Sequence, residues 1–465
     1  MTVLTAEKAA ERRRIIFASL VGTTIEFYDF YIYATAAVSV FPLLFFAPGA
    51  GRTALLASMA TFGVAFVARP LGSIVFGHFG DRIGRKATLV GSLLMMGLAT
   101  FAIGFLPTYH RIGILAPALL AILRFCQGLG LGGEWSGAAL LATETAEPGK
   151  RARAAMWPQL GAPFGFILAN GFFLVLAVSF RFDSTRATLD DNFLAWGWRI
   201  PFLLSIVMVL LGLYVRVKLH ETPVFANAVE RGETLKAPLI HVFQANVKEL
   251  ILGTFIMVAT YGLFYIMTTW ILSYAIGKTE LGGLGVGYRD FLILQLISVV
   301  FFAAFIPVAG HLADQIGRRT FLLAVTAAIV VYGISFQKFL SPETMGSGVH
   351  ANLALMGAFL SLGMALMGLS FGPMSALLPE LFPTNTRYTG SGVAYNLASI
   401  LGAALTPFVA TWLAQQHGAG SVGLYLALLG VVSLVALFIS KETKFTNLDT
   451  MQTETATTGI ESTSP

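Results

Sequence analysis

Gly77-His78-Phe79-Gly80-Asp81-Arg82-Ile83-Gly84-Arg85-Lys86 closes one long apolar run, and a second version, Gly310-His311-Leu312-Ala313-Asp314-Gln315-Ile316-Gly317-Arg318-Arg319, closes another. A repeat spaced by about 233 residues is too long for a solenoid and marks a duplicated half-protein. Around these copies the 465-residue chain is 56% apolar and only 12% charged, with a mean hydropathy of +0.76. A soluble domain has about 25% charged residues, so the chain reads as a polytopic membrane protein.

Counting apolar segments of about 20 residues predicts twelve helices in two pseudo-symmetric bundles of six, an all-α membrane protein. The expected spans begin near residues 17, 53, 87, 114, 154 and 197, then 248, 289, 320, 351, 388 and 420. This divides the chain into a bundle over 1–217, a polar linker over 218–246, a second bundle over 247–440 and a tail over 441–465. Arg12, Arg13 and Arg14 precede the first apolar run, but that run carries two carboxylates and no convincing cleavage site, so it is expected to be an uncleaved first span.

Lys and Arg cluster on one side of the spans, in Arg12 to Arg14, Lys150, Arg151, Arg153, Lys218, Arg231, Lys236, Arg387, Lys441 and Lys444 besides the two loop phrases. The other side keeps fewer, chiefly Arg52, Arg111, Arg181, Arg186, Lys278 and Arg289. That asymmetry predicts a plasma-membrane protein with both termini cytoplasmic. It also accounts for the net charge of +6 without nucleic-acid binding. The lone Cys126 excludes an intramolecular disulfide and a cysteine-built metal site. No phosphate loop, His pair at metal spacing or Gly-x-Ser-x-Gly elbow occurs, so neither an enzyme nor a bound cofactor is expected.

These phrases and the duplicated plan resemble the major facilitator superfamily. Within it, Gly22-Thr23-Thr24-Ile25-Glu26-Phe27-Tyr28-Asp29-Phe30, the run from Arg124 to Ala138, and Trp198-Arg199-Ile200-Pro201-Phe202 are similar to the metabolite:H+ symporter family. Phe27 stands where many members have Trp, and Gln315 replaces the Arg of the second signature, which suggests weaker ionic locking there. The resemblance implies the major facilitator fold, alternating access by rocking of two bundles, and a role in proton coupling for the Arg124 stretch.

The residues themselves point to chemistry at three places. Glu26 and Asp29 share one face of helix one, and burying two unpaired carboxylates in hydrocarbon costs several kcal/mol. Arg124 lies about ten residues, roughly 15 Å, into helix four, and Glu26 about nine residues, roughly 14 Å, into helix one from the opposite face. In a core of about 30 Å those depths coincide, so Arg124 is expected to reach Glu26 or Asp29. A carboxylate balanced between burial, which favours its neutral form, and arginine, which favours the charged form, suits proton carriage. Asp29 is the first candidate, then Glu26; Glu134 is either a further proton site or an interhelix anchor.

Arg69 in helix two is the other buried cation, placed either for a substrate carboxylate or for a protein carboxylate. Tyr28, Tyr31, Gln159 and Asn170 in the first half, and Tyr261, Tyr265, Trp270, Gln295, Tyr395 and Asn396 in the second, are candidates to line a cavity between the halves. Asp81, Arg82, Arg85, Lys86, Glu144 and Arg151, with Asp314, Arg318, Glu380 and Arg387, are expected to form an inward-side gate latch. Gly161, Pro163, Gly165, Gly372, Pro373, Pro379 and Pro407 mark expected bends. The glycines at 128 and 132 are expected to pack helices closely.

Together these readings predict a proton-coupled importer of a small organic acid, a mono- or dicarboxylate or a hydroxylated ring acid. Its partners are that solute, protons and the lipid bilayer, with a monomer sufficient. A symporter of zwitterionic solutes, a drug/H+ antiporter and a membrane solute sensor remain alternatives.

Overall fold

A computed structural model of the chain describes residues 2–49, 51–83, 85–132, 142–143, 146, 149–182, 191–217, 243–244, 246–383 and 386–444, with backbone alone at 2–15, 18, 77–83, 85–89, 215–217, 281 and 388. The described residues are helical with no strand, the solution that satisfies every backbone polar group where lipid offers no partner. We number the long helices α1 (Thr2–Ser39), α2 (Gly51–Ile83), α3 (Arg85–Ile103), α4 (Leu115–Leu131), α5 (Arg151–Ser179) and α6 (Phe193–Tyr214) in the first half. The second half holds α7 (Val247–Ile276), α8 (Tyr288–Ile316), α9 (Arg318–Phe339), α10 (Leu353–Glu380), α11 (Thr389–His417) and α12 (Ala419–Ile439). Among the described residues nine of these are long and apolar enough to cross a membrane, and Val90–Ile103 and Leu115–Leu131 are shorter apolar helices.

Helix starts fall close to the sequence expectations, except that α1 is helical from Thr2, well before the apolar run. The expected linker lies outside the described residues apart from Phe243, Gln244 and Asn246, and so does the tail beyond Lys444. In the first half α1 packs along α5, α2 along α4, and α3 against α4 and α6; in the second, α7 packs along α12 and α11, α8 along α10, and α9 along α12. The halves meet where α5 lies against α8 and α2 against α11, two contacts equivalent under the exchange of one half for the other. Large apolar side chains such as Leu98, Ile122, Val175, Val300, Val331, Leu428 and Phe438 face outward, where a bilayer would cover them.

Two close approaches hold the first half together. A Cβ on Gly128 or Gly132 would strike the backbone carbonyl of Ala65 or Arg69, so α2 and α4 touch backbone to backbone. Gly161 and Gly165 do the same for α5 against Thr23 and Phe27 of α1. Breaks occur near the expected residues. α5 is interrupted at Leu160 between Pro158 and Pro163, and α10 at Gly372 and Pro373. In α11 the disturbance is a π-helical turn over Ser399–Ala404, next to Pro407, whose missing N–H leaves the Ala403 carbonyl without its helical donor. Further π turns at Phe193–Gly197 and Ile266–Trp270 have no proline and were not foreseen.

Candidate functional site

Glu26 and Asp29 sit one turn apart on α1 and are only 3% and 2% exposed. Arg69 Nη2 on α2 lies 3.0 Å from Glu26 Oε1, a buried ion pair. Its guanidinium also covers the rings of Phe30 and Phe66, at 4.7 and 5.3 Å from their centres. Arg124, fully buried on α4, donates from Nη1 to Gln127 Oε1 at 3.0 Å and from Nε to the Phe62 carbonyl at 3.4 Å. It lies over the rings of Tyr33, Phe30 and Phe62 at 4.1, 4.5 and 4.9 Å. The α2–α4 glycine contact explains why both arginines reach the same stretch of α1.

The expected pairing of Arg124 with a helix-one carboxylate is therefore replaced. Arg69 holds Glu26, and the link from Arg124 to Asp29 runs through Gln127 and Thr100. Helical rise gives a residue's depth but not its rotation about the axis, and α2 is the helix whose arginine points at Glu26.

Between the halves lies a small cavity lined by Phe27, Phe30 and Arg69 from the first half and Thr260, Tyr261, Phe264, Tyr265, Met367, Phe371 and Tyr395 from the second. Only about 10 Å³ is open to the centre of a water-sized sphere, room for a water rather than a metabolite. Near Arg69, the rings of Tyr261 and Tyr395 lie 5.3 Å apart, and Tyr265 sits against Phe62 and Phe66. The Tyr395 hydroxyl interacts with both Tyr261 and Arg69, and among the described residues Arg69 Nε is buried without a hydrogen-bond partner, capacity that a solute or water can use. The chemistry available is one arginine fork, several phenol hydroxyls and aromatic walls.

Contacts join the two halves on either side of the cavity. At one end Tyr288 of α8 packs edge-on against Phe182 and reaches Ser39 of α1 at 3.5 Å. At the end rich in basic residues, Asp314 of α8 accepts hydrogen bonds from the backbone amides of Ala152 and Arg153, both at 3.1 Å. These are first-turn amides of α5, which lack an intrahelical acceptor, at a helix start where a carboxylate is also favoured by the helix dipole. Arg151 lies 3.7 Å from Glu380 of the opposite half, and Arg318 bridges Glu380 at 3.2 Å and Asp314 at 3.0 Å. Arg153 also contacts His311 across the halves. Glu442, just past α12, accepts from the amides of Arg318 and Arg319 at the start of α9, and Thr443 donates to Glu380 at 2.7 Å.

Of the residues expected to line the cavity, Arg69, Tyr261, Tyr265 and Tyr395 do so. The others have structural contacts. Tyr28 donates to the Pro201 carbonyl at 2.8 Å, Tyr31 packs on Phe166 and Phe264, and Asn170 accepts from Thr35. Trp270 stacks on Tyr274, and Gln295 donates to the carbonyls of Met267 and Thr268 in the π turn of α7. Gln159 and Asn396 bridge the halves instead, to the Phe371 carbonyl and to Ser73 and the Gly132 carbonyl.

Of the expected latch residues, Arg151, Asp314, Arg318 and Glu380 come together, while Arg387 donates to the Phe382 carbonyl. Glu134 and Glu144 lie outside the described residues, as do the side chains of Asp81, Arg82, Arg85 and Lys86.

Sequence reasoning passed over Thr100, Phe30, Phe264, Phe371 and Glu442. Thr and Phe within an apolar run carry no signal of their own. Glu442 did carry one, an acid a few residues past the last span, within reach of the second loop phrase. Among the described residues no three His, Cys, Asp or Glu side chains converge as metal ligands would.

The family model of the Major Facilitator Superfamily matches residues 19–400 and 284–457. The chain is 52% identical over 437 residues to the inner membrane metabolite transport protein YhjE of Escherichia coli (strain K12), covering 94% of this chain and 96% of that one. It is 34% identical to the shikimate transporter of the same organism, over 93% of this chain and 95% of the relative. It is 31% identical to that organism's proline/betaine transporter, over 93% and 84%. Among solved structures, a D-xylose-proton symporter superposes with a TM-score of 0.68 at 17% identity, over 93% of this chain and 98% of the other.

Proposed function

The chain belongs to the major facilitator superfamily, and from that premise we propose that this membrane transport protein is a proton-coupled symporter importing a small organic acid by alternating access. The observation that carries the reading is Arg69, a buried cation that lines the cavity between the halves and is held in reserve by Glu26. A planar fork of donors matches a carboxylate, and shikimate, proline and betaine, the solutes in the names of two relatives, all carry one. The aromatic cavity walls favour a second reading, a zwitterion whose ammonium sits against a ring face.

Glu26 and Asp29 are the proposed proton carriers, supported by their burial beside arginines and by the proton coupling named for a structure of the same fold. An anion that enters with a proton is neutralised, and the loaded carrier then reorients at lower electrical cost. The basic end is proposed to face the cytoplasm, with both termini there and the protein in the inner membrane, on the asymmetry of Lys and Arg. Two bundles, 1–217 and 247–440, would rock about the cavity, with the Arg151, Asp314, Arg318 and Glu380 cluster as the inward latch.

The test is uptake into proteoliposomes of labelled mono- and dicarboxylates, hydroxylated ring acids, betaines and a lipophilic cation, with wild type and Arg69→Gln. Saturable uptake of an acid, lost in the variant, is expected. Uptake of betaines alone moves the assignment to zwitterions, and binding without flux makes the protein a sensor.

A further inference from the structure

A chain of hydrogen bonds crosses three helices between Arg124 and Asp29. Arg124 Nη1 donates to Gln127 Oε1 at 3.0 Å, Gln127 Nε2 donates to Thr100 Oγ1 at 2.6 Å, and Thr100 Oγ1 donates to Asp29 Oδ2 at 3.2 Å. All four side chains are buried. The polarity of this chain is fixed by inventory. An arginine only donates, so the Gln127 oxygen faces it and the Gln127 amide hydrogens face Thr100. Thr100 therefore accepts from Gln127, and its single proton has two acceptors in reach, Asp29 Oδ2 and the Met96 carbonyl at 3.0 Å.

We propose that the Thr100 hydroxyl is the positioning group that couples the protonation of Asp29 to Arg124. With Asp29 ionised, the hydroxyl turns to the carboxylate and every link from the guanidinium points toward the negative charge. When Asp29 takes a proton from water, its O–H donates to Thr100 and the hydroxyl turns to Met96. Arg124 then faces a neutral chain, so helix α4 senses the proton without any heavy atom moving. The proposal rests on Asp29 as a proton-carrying residue.

Among the described residues, the charged and titratable groups around this chain are Glu26, Tyr28 and Tyr33 on α1, Arg69 on α2, Arg124 itself and Tyr265 on α7. The charged residues of α5 and α6 whose side chains are described, Arg151, Arg153 and Arg199, lie near helix ends. Tyrosines stay neutral and arginines charged through the neutral range, so among these groups the two carboxylates, Glu26 and Asp29, titrate there.

The test is infrared titration of the protonated-carboxyl band in the purified full chain in lipid nanodiscs, with Asp29→Asn identifying the Asp29 component. It needs no substrate, so it is independent of transport. Thr100→Val keeps the shape but removes the hydroxyl, which donates to the charged form and accepts from the neutral one; the bond to the charge is the stronger, so the charged form loses more. The pH of half-titration should rise by about one unit, while Thr100→Ser should stay near wild type. Gln127→Met, which breaks the next link, should move it the same way by less, and it carries the test if the valine variant does not fold. A half-titration unmoved in both Thr100→Val and Gln127→Met overturns the proposal, as does a wild-type band that Asp29→Asn leaves unchanged. If the shift is found but no acid is transported, the coupling stands and the transport reading fails.

Discussion

Asp314→Asn should loosen the closed basic end by an amount that the geometry fixes. Two hydrogen bonds cross between the halves, from the amides of Ala152 and Arg153 to the Asp314 carboxylate, each 3.1 Å long. The two amides use different carboxylate oxygens, so asparagine, with its single acceptor oxygen, keeps one bond as a neutral bond and sets its NH2 group against the other amide. One hydrogen bond to a charged group, worth about 1.5–3 kcal/mol, is lost and the other is weakened by about 1 kcal/mol, so at least about 2 kcal/mol is lost from the closed state. The Arg318–Asp314 pair lies within one half and persists through rocking, so its loss cancels to first order. About 2 kcal/mol corresponds to roughly a 30-fold rise in the open population.

The probe is a cysteine at Ser375, a buried residue whose hydroxyl donates to the Ala155 carbonyl across the same contact at 2.8 Å. In a Cys126→Ser background, Ser375→Cys should react with a membrane-permeant maleimide roughly 30-fold faster when Asp314→Asn is added, provided opening is fast relative to labelling. Glu442→Gln, which weakens only the same-half cap on α9, should leave the rate near that of the parent. Equal rates with and without Asp314→Asn would refute the assignment of these bonds to the gate.

Two further outcomes follow from the packing. Glu26→Gln leaves the Arg69 guanidinium buried without its counter-charge and should destabilise the protein by about 3–5 kcal/mol, whereas Glu26→Gln with Arg69→Gln should be less harmful than the single change. Thermal unfolding in detergent checks the order, and additive losses would contradict it. Gly128→Leu should prevent α2 and α4 from meeting and abolish a monodisperse protein on size-exclusion chromatography, while Gly171→Ala, with nothing near its added carbon, should elute as wild type.

The helices were legible because lipid leaves the sequence few options. Long apolar runs fixed their number and, α1 apart, their approximate starts; the two loop phrases marked the duplication. The cluster of Asp314, Arg318 and Glu380 was legible for the same reason, since these are charges set against an apolar background. Arg69 was identified as important, yet its partner was open, because which carboxylate it meets depends on how α1 and α2 rotate about their axes. Thr100 was invisible, being a small residue that any apolar helix tolerates; its meaning comes from lying 3.2 Å from Asp29 and 2.6 Å from Gln127. Tyr28, Gln295 and Trp270 show the converse error, polar and aromatic residues at the right depth that are used by the scaffold.

The central claim is coupling of an organic anion to protons through the carboxylates of α1. Its most direct test is accumulation of a transported acid in proteoliposomes with an imposed inward proton gradient, with and without an uncoupler, for wild type and Asp29→Asn. The account predicts accumulation above the external concentration that collapses with the uncoupler and is lost in the variant, while exchange of internal for external acid survives. Gradient-driven accumulation that persists in Asp29→Asn would contradict Asp29 as carrier, and accumulation indifferent to the uncoupler would contradict proton coupling itself.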